Sequence, residues 1–353
     1  MPPHRLTVVI AEDSALYRQM LLNILQRIPG VEVVGTAVDG LEAVEKVVEL
    51  RPDVLTLDVQ MPRLDGLGVL RHLRARGSGT RVIMVSSLTA EGAPTTVEAL
   101  MEGAFDVVEK PVGLDPHLAR GSIHEALLEK LSALVDARHA SPVVGGAPAA
   151  RASGRIGRQA IAAVAIGTST GGPQALRDVI PRLPANLPVP LFVVQHMPAG
   201  FTASLAVRLN EIAPARVVEA SQGMVTAAGC VHVAAGGQHL TVEHRGNGNF
   251  CRLDAGPMRL GCRPSFDALL ESLVPVYGGK LLAVVLTGMG QDGLAGCRVV
   301  KAAGGRVIAQ AAAGCAVYGM PKAVVEAGLA DAVVPLEGIA AIVTASVHGG
   351  AAC

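Results

Sequence analysis

The 353-residue chain has no tryptophan, and phenylalanine, tyrosine and tryptophan together make up only 2% of it. Hydrophobic residues nevertheless reach 50%, so the cores must be built from alanine, valine, leucine and isoleucine. Aliphatic cores of this kind are typical of buried parallel strands that are covered by helices. The scarcity of aromatic residues therefore favours an α/β fold.

The chain also lacks net charge, because 30 Lys and Arg residues balance 30 Asp and Glu residues. A basic surface for nucleic acid or for an anionic membrane is therefore not predicted. Mean hydropathy is positive (+0.43), but every apolar run is short and is interrupted by a charge, a glycine or a proline. A helix that spans a membrane needs about 20 apolar residues, so direct membrane insertion is not expected.

The sequence also shows no signal peptide and no paired cysteines, and both observations bear on the cellular compartment. The N-terminal segment reaches Glu12 and Asp13 too early to contain the apolar core of a signal peptide. The six cysteines form no Cys-x-x-Cys pair, which gives no sign of a redox or zinc motif. These features predict a cytoplasmic protein without disulfide bonds.

The length favours two domains, and the pattern along the chain supports that division. In residues 1–125, short apolar strands alternate with helical segments five times, which predicts a doubly wound (βα)5 domain with a parallel sheet. Residues 126–160 comprise the end of the last helix and a linker rich in small residues, proline, glycine and arginine. Residues 161–347 resume the alternation and predict a second α/β domain with a mainly parallel sheet.

Polar side chains stand where the predicted strands of the first domain end. They are Glu12 and Asp13 after the first strand, Asp58 after the third, Ser86 after the fourth and Lys110 after the fifth. Such ends meet at one edge of a parallel sheet. Clustered carboxylates suit Mg²⁺, and a nearby amine and hydroxyl suit phosphoryl oxygens. The set predicts phosphoryl transfer to a carboxylate, although each residue alone also fits an ordinary helix cap or loop position.

The motifs EDS, LDVQMPRLDG, VSS and KP occur in this order, and with them residues 6–125 resemble a response-regulator receiver domain. The resemblance implies that a partner sensor histidine kinase phosphorylates Asp58, and that Ser86 and Lys110 contact the phosphoryl group. It also implies a Mg²⁺ site formed by Glu12, Asp13, Asp58 and the backbone carbonyl of Gln60.

Two positions depart from the receiver pattern. Glu12 stands where aspartate is common, which bears on the metal geometry. Val107, three residues before Lys110, replaces the aromatic switch residue of many receivers. These departures leave open how strongly phosphorylation acts on the rest of the chain.

The segment GTSTGGP, residues 167–173, follows the first apolar strand of the second domain. It lacks the lysine of a phosphate-binding loop, and its glycine spacing fails the dinucleotide pattern G-x-G-x-x-G. It does contain G-x-S-x-G, which at a strand-to-helix turn exposes the hydroxyl of Ser169. A serine nucleophile needs a base and an orienting acid. His196 ends one later apolar strand, and Asp292 follows another in a glycine-rich turn.

These three residues predict a catalytic triad at the ends of neighbouring strands. His196 would take the proton of Ser169, and Asp292 would fix the tautomer of the imidazole. The backbone N–H groups of residues 288–290 could reach a developing oxyanion. The chain order Ser–His–Asp differs from the Ser–Asp–His order of α/β-hydrolases, so that fold is not implied. Taken singly, each residue fits a structural role at least as well as a catalytic one: Ser169 as a turn residue, His196 as a buried hydrogen-bonded side chain and Asp292 as a helix cap.

Residues 161–345 also resemble the catalytic domain of chemotaxis protein-glutamate methylesterases, through IGTSTGGP, VVQHMPAGFTASLAVRLN, CRPSFDALLESL, LTGMGQDGLAG and VYGMPKAV. The resemblance implies that Ser169, His196 and Asp292 are catalytic and that Met289 donates a backbone N–H to the oxyanion. It implies hydrolysis of glutamate γ-methyl esters on chemoreceptors with release of methanol, deamidation of receptor glutamines, control by phosphorylation, and no cofactor for ester hydrolysis. Cys262 departs from the pattern, because many relatives carry histidine before RPS.

Two alternatives stay open from the sequence. The second domain could be a protein-binding module without catalysis, or a hydrolase of the same fold that acts on another ester or amide. Substitution of Ser169 by alanine separates the first alternative from an esterase, because a binding module keeps its function without that hydroxyl. The receptor sites, the cognate kinase, the oligomeric state, the role of the linker and the effect of Cys262 do not follow from the sequence.

Overall fold

The computed structural model describes residues 5–87, 92–110, 116–139 and 160–348. The chain divides into two units between residues 143 and 144. Most of the predicted linker, residues 140–159, and Pro111 of the KP motif lie outside the described residues. No helix in the described ranges combines the length and the apolar character needed to cross a bilayer.

The first unit is a parallel five-stranded sheet with helices between its strands, as predicted. Its strands are β1 (Leu6–Ala11), β2 (Val31–Ala37), β3 (Val54–Asp58), β4 (Arg81–Ser87) and β5 (Asp106–Lys110). Its helices are α1 (Ala15–Leu25), α2 (Gly40–Leu50), α3 (Gly66–Ala75), α4 (Gly92–Met101) and α5 (Pro116–His139).

The strand order in this sheet is β2-β1-β3-β4-β5. Every residue of β3 is buried, because a central parallel strand has helices on both faces. Helix α1 starts after Ser14, whose hydroxyl accepts the backbone N–H of Tyr17, and α2 and α3 start after the capping residues Asp39 and Asp65. These caps fix the loops at the carboxyl edge of the sheet, where the predicted acidic cluster lies.

The second unit contains a seven-stranded sheet, in which every neighbouring pair of strands is parallel, and a separate antiparallel hairpin. Its strands are β6 (Ala163–Thr168), β7 (Leu191–Gln195), β8 (Arg216–Glu219), β9 (Cys230–Val233), β10 (His239–Arg245), β11 (Gly248–Asp254), β12 (Leu281–Val285), β13 (Arg306–Gln310) and β14 (Ala332–Val334). Its helices are α6 (Gly172–Val179), α7 (Phe201–Ile212), α8 (Phe266–Tyr277), α9 (Leu294–Ala302), α10 (Met320–Glu326) and α11 (Leu336–His348).

The strand order, β14-β13-β12-β6-β7-β9-β8, places β6 between β12 and β7. Thr168 pairs with Gln195, and Gly167 pairs with Val285, so these three strands end close together. Helix α8 packs directly on β6: a side chain at Gly167 would overlap the ring of Phe266. The three predicted triad residues therefore leave adjacent strands on one edge of the sheet.

Candidate active site and acidic cluster

The acidic cluster of the first unit is formed as the strand ends predicted. Carboxylate oxygens of Glu12, Asp13 and Asp58 all lie within 4.8 Å of one another. The ammonium group of Lys110 lies 2.7 Å from Glu12 Oε2 and 2.8 Å from Asp58 Oδ2, and it neutralises part of the cluster. Three carboxylates at this spacing fit a hard divalent cation such as Mg²⁺.

Burial and the charges of neighbouring groups shift the pKa values of Glu12 and Lys110. Burial and the neighbouring charge of Asp58 raise the pKa of Glu12, although Lys110 acts in the opposite direction. Burial alone would lower the pKa of Lys110, but the charge of Asp58 and the hydrogen bonds to Asp58 and Glu12 raise it above its usual value. The ring of Tyr17 lies 5.0 Å from the same ammonium group. Lys110 is therefore held in its charged form beside the predicted phosphorylation site.

The other residues that the sequence analysis singled out in the receiver, Ser86, Gln60 and Val107, differ in burial and in their contacts. Ser86 Oγ is buried and shares a 2.7 Å hydrogen bond with Thr96 Oγ1, so its hydroxyl is engaged on α4 in this structure. Gln60 is exposed in the loop that follows β3. Gly66 lets that loop pass close to Asp58, because a Cβ at this position would overlap the Asp58 carbonyl oxygen. Val107 is buried within β5.

In the second unit, Ser169 lies in the turn between β6 and α6. Its backbone N–H donates to Thr287 O at 3.0 Å, and its carbonyl accepts the N–H of Gly172 at 2.8 Å. Gly171 has φ +75°, and a side chain there would overlap Ala316. The turn therefore requires glycine, and it leaves the Ser169 side chain partly exposed.

His196 and Asp292 are joined directly. His196 Nε2 lies 2.8 Å from Asp292 Oδ2, and the two side chains are 11% and 2% exposed. His196 follows β7, and its backbone N–H donates to Thr168 O at 3.1 Å. This geometry allows Asp292 to hold the proton on Nε2 and leaves Nδ1 as the basic nitrogen.

The N-terminus of α8 holds the Asp292 carboxylate. Asp292 accepts hydrogen bonds from the Ser265 hydroxyl (2.8 Å) and from the backbone N–H groups of Phe266 (2.6 Å) and Asp267 (3.0 Å). Burial would raise the pKa of Asp292, but the hydrogen bonds from His196 and these N–H groups lower it overall. The carboxylate is therefore kept ionised, so that it can accept a hydrogen bond from His196 Nε2.

The environment of His196 favours its protonated form. Burial would lower its pKa, but the hydrogen bonds to Asp292 and Cys262 raise it to about 9. Nδ1 faces Cys262 Sγ at 3.5 Å, and within the described residues no hydrogen bond joins Ser169 Oγ to the ring. Catalytic hydrogen bonds are often loose before substrate binds, so this geometry is compatible with a base that acts on Ser169.

Two buried polar side chains that the sequence analysis did not single out support the site. Gln195 Nε2 donates to the carbonyls of Ser169 (2.9 Å) and His196 (3.2 Å), which ties the nucleophile and base turns together. Thr287 Oγ1 donates to Thr170 O (3.0 Å) and accepts Val317 N–H (3.1 Å), which anchors the loop after β12. Gln195 could have been singled out from the sequence, because it ends the apolar segment LFVVQ and a buried amide requires hydrogen-bond partners.

The same loop distinguishes among the candidate oxyanion donors. The N–H of Gly288 donates to Val317 O at 3.0 Å and is therefore already engaged. Within the described residues, the N–H of Met289 makes no hydrogen bond, and Met289 is only partly buried. The N–H of Gly290 makes no hydrogen bond within the described residues either, so Met289 and Gly290, rather than Gly288, are available to an incoming oxyanion.

Comparison with known proteins identifies both parts of the chain. The model of the CheB methylesterase family matches residues 164–343, and that of the response regulator receiver domain matches residues 8–120. A protein-glutamate methylesterase/protein-glutamine glutaminase of Symbiobacterium thermophilum is 46% identical, with 97% of both chains covered. Its namesake from Thermotoga maritima is 44% identical, with 93% of this chain and 94% of the relative covered. The crystal structure of the Thermotoga maritima CheB methylesterase catalytic domain matches with a TM-score of 0.52 and 43% identity, covering 52% of this chain and 98% of that one.

Proposed function

The chain belongs to the CheB methylesterase family, with a receiver domain before the catalytic domain, and we propose that Ser169, His196 and Asp292 perform its reaction. The protein is a protein-glutamate methylesterase that hydrolyses glutamate γ-methyl esters on chemoreceptors. The observation that carries the proposal is the 2.8 Å contact between His196 Nε2 and Asp292 Oδ2 beside the Ser169 turn.

The geometry supports one route for the proton. Because Asp292 occupies Nε2, His196 exchanges protons with substrate through Nδ1. Nδ1 takes the hydroxyl proton of Ser169 as Oγ attacks the ester carbonyl, and the Met289 N–H stabilises the resulting oxyanion. The imidazolium then protonates methanol as it leaves. Water, activated by the same nitrogen, releases the glutamate from the acyl-enzyme.

Deamidation of a receptor glutamine follows the same course. The side-chain amide of glutamine presents its γ-carbonyl at the same position as the methyl ester, and ammonia takes the place of methanol as the leaving group. The imidazolium of His196 supplies the proton that this leaving group needs. We therefore propose that one site carries both activities.

We propose that the receiver domain controls this activity through phosphorylation of Asp58 by a sensor histidine kinase. Glu12, Asp13, Asp58 and the carbonyl of Gln60 would hold Mg²⁺, and the three carboxylates have the donor chemistry for it. When bound, the ion neutralises negative charge on the transferring phosphoryl group. Lys110, placed between Glu12 and Asp58, would exchange carboxylate contacts for phosphoryl oxygens.

We also propose that the protein acts in the cytoplasm, where the kinase and the methylated helices of a chemoreceptor are accessible. No described helix would anchor it in a membrane. Hydrolysis itself needs no cofactor in this account, because the nucleophile, the base and the orienting acid are all side chains of the chain.

The test is the release of methanol from methyl-labelled chemoreceptor membranes by the full-length protein. Ser169→Ala should lower release by about 10³-fold or more. Ser204→Ala is the matched control: Ser204 lies on α7, its Oγ donates to the carbonyl of the capping residue Gly200, and its loss should leave the rate unchanged. Equal rates for the two variants would refute the role of Ser169 and would favour an alternative nucleophile.

A further inference from the structure

A cysteine thiol lies against the catalytic base. Cys262 Sγ is 3.5 Å from His196 Nδ1, and Cys262 is partly exposed. This is the nitrogen opposite Asp292, and it is the one that the proposed reaction uses on Ser169. Cys262, His196 and Asp292 therefore form a thiol–imidazole–carboxylate chain that shares two members with the serine triad.

The backbone holds this thiol in place. Cys262 closes a tight turn in which its N–H donates to Arg259 O at 2.8 Å and its carbonyl accepts the Arg259 N–H at 3.0 Å. The guanidinium of Arg259 forms two 2.7 Å hydrogen bonds with Glu271 on α8. The same helix holds Asp292 by its N-terminus, so α8 helps to position both the thiol turn and the acid.

The chemistry of the arrangement is that of an activated thiol. An imidazole that keeps its proton on Nε2 can accept the thiol proton at Nδ1 as the sulfur attacks an electrophile. Thiolates react with soft electrophiles and with hydroperoxides much faster than thiols do. The two nucleophiles also compete for one nitrogen, so a modified sulfur would occupy the place where Ser169 must deliver its proton.

We propose that Cys262 is a covalent modification site for hydroperoxides and other soft electrophiles, and that its modification switches the esterase off. The switch rests on the proposed function, whereas the reactivity of the thiol does not. With a hydroperoxide, the sulfur attacks one peroxide oxygen, an S–O bond forms and the O–O bond breaks. Sulfur is oxidised by two electrons to sulfenic acid, and the peroxide leaves as an alcohol or water with the proton that His196 held. Two equivalents of a thiol reductant restore the cysteine and release water and a disulfide.

The chain offers a matched control cysteine in the same unit. Cys315 is also partly exposed, and each thiol lies near a backbone carbonyl: Cys315 Sγ is 3.3 Å from Ala311 O, and Cys262 Sγ is 3.6 Å from Leu260 O. Burial raises the pKa of Cys315 to about 12. Among the described residues no imidazole contacts this thiol, so Cys315 reports the reactivity of a partly buried cysteine without a neighbouring base. The three remaining described cysteines, Cys230, Cys251 and Cys297, are buried.

Limited alkylation of the full-length protein with iodoacetamide, followed by mass spectrometry of the peptides, tests the thiol itself. His196→Asn should slow the alkylation of Cys262 by at least about tenfold and leave that of Cys315 unchanged. An unchanged rate for Cys262 in the His196→Asn variant would overturn the proposal. Mass spectrometry follows Cys353, which lies outside the described residues, as a separate peptide.

Hydrogen peroxide tests the switch. Wild type and Cys315→Ser should lose methanol release and recover it with dithiothreitol, whereas Cys262→Ser should keep its own untreated rate. Equal inactivation of the Cys262→Ser variant would overturn the switch. The alkylation experiment needs no ester substrate, so a failure of the proposed esterase activity would be distinguishable from a failure of the thiol proposal.

Discussion

Replacement of Asp292 by asparagine isolates the electrostatic role of the carboxylate. The pKa of His196 is raised from 6.5 to about 9 by the hydrogen bonds to Asp292 and Cys262, against the lowering effect of burial. A shift of this size corresponds to about 3 kcal/mol of preferential stabilisation of the imidazolium. The imidazolium forms in the transition state, so loss of the Asp292 contribution, with that of Cys262 retained, should lower the maximal rate by at least about tenfold.

The same substitution should move the pH dependence in a defined direction. A base works only when it is neutral, so wild-type kcat/KM should rise with pH towards an inflection near 9. Without the Asp292 charge, burial favours neutral imidazole, and the inflection should move to lower pH. The variant would therefore combine a lower plateau with an earlier rise, a pair of changes that unfolding alone does not produce.

The assay is methanol release between pH 5 and 10, together with thermal denaturation, because Asp292 also accepts two backbone N–H groups of α8. Asp267→Asn is the matched control. Asp267 is buried at the same helix end and accepts Gly296 N–H at 2.6 Å, but it makes no hydrogen bond to His196. A plateau for Asp292→Asn equal to that of Asp267→Asn, with an unmoved inflection, would refute the reasoning.

Three further predictions concern other parts of the chain. Gly288→Ala would place a carbon in overlap with Met320 Sδ, its nearest atom, and 2.8 Å from Ser169 Cβ. The resulting displacement of the nucleophile should cost roughly 10²-fold in methanol release, and a normal rate would contradict the tight approach. Lys110→Met should abolish stimulation by a phosphodonor and keep basal release, whereas Lys130→Met, which removes an ion pair elsewhere in the receiver, should keep both. Burial, with a smaller contribution from charge, lowers the pKa of His232 to about 4, so the unfolded chain binds a proton that the folded chain does not between pH 6.5 and 4. The free energy of unfolding should therefore fall by up to about 3 kcal/mol as pH falls through that range. Thermal denaturation at pH 7 and at pH 4.5 should show a smaller difference for His232→Leu than for the wild type.

The sequence predicted the elements that place the two sites, because strand and helix alternation is a strong local signal in aliphatic α/β chains. The segments that end at Gln195 and before Asp292 were readable as buried strands, and their order in the sheet brings His196 and Asp292 together. The hairpin β10–β11 and the short strand β14 were not predicted, since most of their residues are half-exposed or exposed and their apolar patterns are weaker.

Other features could not follow from local pattern. Asp292 is held by the N-terminus of α8, and the contact joins residues 26 positions apart in sequence. The Cys262 thiol is 66 positions from His196, and only the folded turn brings it to Nδ1. Long-range contacts such as these two depend on tertiary packing rather than on spacing in the sequence. The cap of α8 is different: Ser265 could be predicted from the sequence, because serine before an apolar helical segment is a common N-cap.

The measurement that tests the account most directly is methanol release from methyl-labelled chemoreceptor membranes, with and without a small phosphodonor and Mg²⁺. The account predicts release by the wild-type protein that rises when the donor is added, and an Asp58→Asn variant that keeps the basal rate but does not respond. Release that ignores the donor in both proteins would contradict phosphorylation control through Asp58. No release under any condition would contradict the methyl-ester substrate itself.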